Sequence, residues 1–124
     1  HYTIGQGSMG TLMAETTVPS LNILDAIWIN PIRGPRTEYY KAVDTQIVAV
    51  STDPFALDYW AINEILIPEA QAVGNTNMSK MTTDSTTEFN AVGYWMPLSL
   101  NELLSAGHMM RFDDDKTRIF EVDE

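Results

Sequence analysis

The clearest pattern along the chain is a pair of short apolar runs bounded by turn-forming residues. Leu21-Asn22-Ile23-Leu24-Asp25-Ala26-Ile27-Trp28-Ile29 is rich in branched side chains and lies between Pro19 and Asn30-Pro31. Its length and punctuation predict a buried strand rather than a helix. Gln46-Ile47-Val48-Ala49-Val50 is a second run, nearly all apolar. Such runs suit strands covered on both faces, as in parallel α/β sheets. Directly after it, Ser51-Thr52-Asp53-Pro54 supplies a capping aspartate and a proline suited to the first helical position. The helix so begun should run from Pro54 to Ile65, ahead of Pro68. With little polar surface, it should be buried against the sheet.

The second half is patterned differently. Residues 73–93 form a polar, threonine-rich stretch without clear periodicity, expected to be a loop that is mobile in the monomer. Met78, Met81 and Phe89 are available there to tack the loop onto another chain. Asn77-Met78-Ser79 has the letters of a glycosylation acceptor, which carries little weight without a secretory signal. Ser99 and Glu102 form a capping box and Leu98 with Leu103 a hydrophobic staple, predicting a helix from Leu100 to Ala106. Gly107 is placed to close it in the left-handed conformation. A turn at Asp113-Asp114-Asp115-Lys116 and a strand from Arg118 to Val122 complete the reading. The expected fold class is therefore α/β, a small, mainly parallel sheet with flanking helices and a C-terminal edge strand. The 124 residues suit a single domain, and the opening at His1 is what a trimmed or partial chain would show.

Composition narrows the function classes. Hydrophobic residues make up 44% and charged residues 19%, a globular balance. The formal net charge of −10 argues against a nucleic-acid groove or an anionic-membrane footprint. No run approaches the roughly 18 apolar residues of a membrane span. The absence of cysteine excludes a disulfide, a zinc–thiolate site and a cysteinyl iron–sulfur ligand within this chain, and leaves the compartment open. No metal is expected. His1 and His108 have no partner at ligand spacing, and the calcium-loop spacing from Asp113 to Glu124 has Arg118 where glycine is required. Gly5, Gly7 and Gly10 spell G-x-G-x-x-G without a preceding strand, so a plain lead-in is expected rather than a nucleotide loop. No nucleophile-elbow pattern occurs, and no catalytic residue stands out.

The densest polar cluster is Asn30-Pro31-Ile32-Arg33-Gly34-Pro35-Arg36. Two arginines around a tight turn can converge on a carboxylate or phosphate. The Ser51–Asp53 turn is a comparable junction, with hydroxyls and helix-end amides. Arg33, Gly34, Arg36, Ser51, Thr52 and Asp53 are thus the candidate ligand-binding residues. The competing reading is structural, with Asp53 as a helix cap and an arginine paired to an inward carboxylate. Asp58, flanked by apolar residues, is expected to be buried and paired with Arg33 or Arg36. Asp25, within the first apolar run, poses the same question, a hydrogen bond to nearby backbone being the commoner fate.

Leu21-Asn22-Ile23-Leu24-Asp25-Ala26-Ile27, the Gly34-Pro35 turn and Val48-Ala49-Val50-Ser51-Thr52-Asp53-Pro54-Phe55-Ala56-Leu57-Asp58 together resemble the bacterial and archaeal family called domain of unknown function 362. The resemblance covers residues 18 to 67 well, and the rest loosely through Leu103-Leu104-Ser105-Ala106-Gly107. It implies a redox-associated protein, since many members carry ferredoxin-like cysteine motifs. Because the family domain is usually longer at its N-terminal side, it also implies that residues 1–124 are the C-terminal portion of a longer domain. With no cysteine here, an iron–sulfur cluster would have to come from a missing segment or a partner. Two function classes follow. One is a redox-associated enzyme domain binding a small anionic or carbonyl-bearing ligand at the two turns. The other is a non-catalytic structural or interaction module. The expected partners are that small ligand, a second copy of the chain, or a missing N-terminal part.

Overall fold

A computed structural model of the chain describes residues 6–32, 42–76 and 78–110. In order these form α1 (Ser8–Glu15), β1 (Asn22–Ile29), β2 (Val43–Ser51), α2 (Pro54–Ala61), a π-helical segment (Ile62–Leu66), α3 (Ile67–Ala72) and α4 (Val92–Ser105). The expected strand at Arg118–Val122 and the Arg33–Arg36 turn lie outside the described residues.

β1 and β2 pair antiparallel, Ile23 opposite Val50, Asp25 opposite Val48 and Ala26 opposite Ile47. Among the described residues this pair is the whole sheet, which corrects the mainly parallel sheet expected from two apolar runs. The connecting stretch explains the difference. It carries Pro31, Gly34 and Pro35, which oppose the crossover helix a parallel pair ordinarily needs. The register shifts between Ala26 and Trp28, where Thr45 and Gln46 stand opposite the single Ile27. Gln46 takes a positive φ of 54° to make this bulge, and the Thr45 hydroxyl donates to the Ala26 carbonyl beside it.

α2 starts where its cap and proline place it. The Asp53 carboxylate accepts the Phe55 and Ala56 amides at 2.9 and 3.1 Å, with Pro54 in the first turn. The helix does not end before Pro68 as expected. In a regular α-helix the Pro68 ring would press on the Glu64 carbonyl. The wider turn of Ile62–Leu66, closed by the Ile67 amide on the Ile62 carbonyl, lets the chain continue helically to Ala72. It stops at Gly74, φ 75°. There the Asn75 and Gly74 amides reach the Ala70 and Gln71 carbonyls, the paired bonds of a left-handed helix end.

The expected helix at Leu100–Ala106 is only the second half of α4. Ser99, expected as its cap, lies fully buried in mid-helix. The end is as expected, with Gly107 at φ 85° and the His108 and Gly107 amides on the Leu103 and Leu104 carbonyls. The core forms among the helices, where Phe55, Met96 and Leu103 are buried and Met13, Ile62, Trp95 and Leu100 pack around them. α1 approaches α4 so closely that a Cβ at Gly10 would lie 1.9 Å from the Ser99 carbonyl oxygen. The sheet sits to one side, with α2 in contact with both strands.

Candidate functional site

One face of the hairpin is half covered and the other is open. Ala26 is buried, and Leu24, Ile47 and Ala49 are partly so. On the opposite face Ile23 is 67% exposed, Val50 62% and Val48 57%, with Leu21 and Ile27 also exposed. Ile23 and Val50 are cross-strand partners, as are Asp25 and Val48, so these side chains form one continuous apolar strip. Asp25 lies within it, solvent-exposed, its Oδ1 accepting the Ile27 amide at 3.1 Å. The backbone hydrogen bond expected for Asp25 is present.

The Ser51–Asp53 turn satisfies its own polar groups. Ser51 Oγ accepts the Asp53 amide at 3.0 Å, and Asn22 Nδ2 donates to the Ser51 carbonyl at 3.2 Å. The helix-end amides that would attract an anion are already held by Asp53. Thr52 is exposed. Arg33, Gly34 and Arg36 lie outside the described residues, so the structure brings Ser51 and Asp53 together without showing the arginine half of the site.

Asp58 departs from expectation in its burial, while Arg33 and Arg36, expected to pair with it, lie outside the described residues. α2 buries Phe55 and Leu57 and leaves Asp58 exposed. Apolar neighbours on both sides in sequence therefore overstated its burial. Asp58 stands at the rim of an open groove of about 420 Å³ whose walls include Met13, Leu21, Ile23, Pro54 and Leu57. Although the residue reaches solvent, these walls desolvate its carboxyl and raise its pKa above the ordinary 3.8.

The polar stretch after α3 is fastened to the start of α4. That helix has no side-chain cap, yet its Val92 and Gly93 amides are taken by the Lys80 and Thr82 carbonyls at 3.0 and 2.9 Å. Proline at 97 cannot donate to the Gly93 carbonyl, which instead accepts the Thr86 amide at 3.4 Å. The Thr83 hydroxyl bonds Asn63 Oδ1 at 2.9 Å, and Lys80 pairs with Glu88 at 2.8 Å. The segment expected to be a loop mobile in the monomer is hydrogen-bonded across the helix end as a belt.

Among the described residues no three His, Cys, Asp or Glu side chains gather as metal ligands. With no cysteine in the chain, its residues do not fit an iron–sulfur cluster of the kind the resemblance implies. No described helix is long and apolar enough to cross a membrane. Comparison with protein-family models, with curated proteins and with solved structures gives no match.

The apolar strip was missed because Val48 and Val50 read as core residues. The signal that marks it is Asp25, a charge in register with Ile23 and Ile27 on a strand whose side chains alternate between faces.

Proposed function

We propose that this chain is a non-catalytic interaction module that presents the outer face of the β1–β2 hairpin to another polypeptide. The observation that carries this reading is the strip of Ile23, Val48 and Val50, contiguous across two strands and each more than half exposed. Single exposed apolar residues are ordinary on a protein surface, whereas a continuous patch of them marks an interaction site. A two-stranded ribbon with one bare face also gains little stability alone, so covering that face stabilises the hairpin.

The alternative, a redox-associated domain taking a small anionic or carbonyl ligand at Arg33, Gly34 and Arg36, draws its support from the resemblance over residues 18 to 67. The Ser51–Asp53 turn adds none, since its amides are engaged internally.

A photo-crosslinking amino acid at position 23, in cells that make the protein natively, tests the module. A discrete polypeptide adduct is expected from position 23, absent when the probe stands at exposed Glu102 and lost when Val48→Lys is added. Equal labelling from both positions, or none from position 23, would show the strip to be ordinary surface.

A further inference from the structure

The open face constrains the chemistry of what covers it. The two strands of the ribbon lie about 4.8 Å apart. One α-helix of about 10 Å diameter covers both. The paired length from Asn22 to Ile29, at about 3.4 Å per residue, matches a helix of roughly 16 to 18 residues at 1.5 Å each. α2 already contacts both strands as a single helix.

Charge selects among helices. Asp25 sits inside the strip between Ile23 and Ile27 and opposite Val48. Only its Oδ1 is occupied by the Ile27 amide, so a neutral apolar helix laid across the face would bury an unpaired carboxylate, which is costly. The chain brings no cation of its own from the described surface. The only lysine or arginine among the described residues is Lys80, ion-paired to Glu88. A second copy of the chain fares worse, because face-to-face packing about a dyad brings two Asp25 carboxylates and no cation from the described residues into one interface, between two bodies of formal charge −10.

Resting on the interaction-module reading, we infer that the outer hairpin face takes a basic amphipathic helix, its apolar stripe on Ile23, Val48 and Val50 and a lysine or arginine over Asp25. The probe is a dye-labelled amphipathic peptide of about 18 residues built from leucine and lysine, titrated with the full chain and followed by fluorescence anisotropy. Saturable binding is expected, weakened about tenfold or more by Ile23→Ser and by Asp25→Asn, and changed by less than about twofold by Glu102→Gln. Ile23 and Asp25 are solvent-facing, and unchanged circular dichroism confirms that their variants fold.

Three results overturn the inference. The first is equal binding of the leucine–glutamate counterpart peptide. The second is a loss with Glu102→Gln as large as that with Asp25→Asn, which signifies diffuse charge attraction. The third is self-association in sedimentation that Ile23→Ser disperses, which assigns the face to a second copy. Failure of the leucine–lysine peptide while the position-23 cross-link persists removes the basic helix and keeps the module. Failure of both removes the module as well.

Discussion

Ser99 shows how tightly one contact can constrain its residues. Its hydroxyl is fully buried where α4 meets α1 and has no hydrogen-bond partner among the described residues. The close approach there is between Gly10 and the Ser99 backbone, and does not call for the hydroxyl. Ser99→Ala should therefore be neutral or stabilise by up to about 1 kcal/mol, since a buried unpaired hydroxyl costs free energy. A loss of stability in denaturant melts would show that the hydroxyl has a partner. Gly10→Ala should cost about 1–3 kcal/mol or more, because its Cβ meets backbone that cannot step aside. Asp58 gives a pH signature at the same scale. Its folded pKa is raised, so the protonated form is favoured by folding. The contribution to stability is full below the ordinary aspartate range and lost as pH rises through the folded value. Asp58→Asn should raise the melting temperature slightly at pH 7 and have no effect at strongly acid pH. The same gain at both pH values would refute the desolvation.

At the scale of elements, local chemistry was legible wherever one residue type has one task. Asp53-Pro54 placed the start of α2 and Gly107 the end of α4, because cap and left-handed positions are set by nearest-neighbour bonding. Pro68 and Ser99 misled because their effects are settled over longer range. A π turn makes room for the first, and the belt of residues 80–86 supplies the helix-end partners that the Ser99 capping box was expected to supply. Carbonyls from a distant loop leave no mark in the local sequence. Gly93 is the residue that admits them, since a Cβ there would lie 1.8 Å from the Asp84 carbonyl oxygen. Gly93→Ala should expel the belt, costing about 1–3 kcal/mol. The Val92 and Gly93 amides, slow to exchange in the native chain, should become fast in the variant. Rapid exchange of both in the native chain would contradict the belt.

For the whole molecule, the decisive quantity is which apolar residues meet the core. Val48 and Val50 are as apolar as Phe55 and Leu103, and nothing in their side chains separates strip from core. The separation comes from antiparallel pairing and from α2 covering a single face. Helix packing then places the core around Met96 and Leu103, among the helices and not on the outer face of the hairpin. Of the candidate ligand site, the Ser51–Asp53 turn was legible as a cap, whereas the strip required the register of the sheet. The hairpin can dock a partner only if that strip is open in the chain by itself. Hydroxyl-radical footprinting of the isolated protein measures this directly, through the oxidation rates of Ile23, Val48 and Val50 against that of Leu103. Rates close to those of free side chains at the three strand positions, with Leu103 protected, are the predicted result. Protection of Ile23 and Val50 equal to that of Leu103 would mean that the chain covers its own hairpin, and the docking surface would not exist.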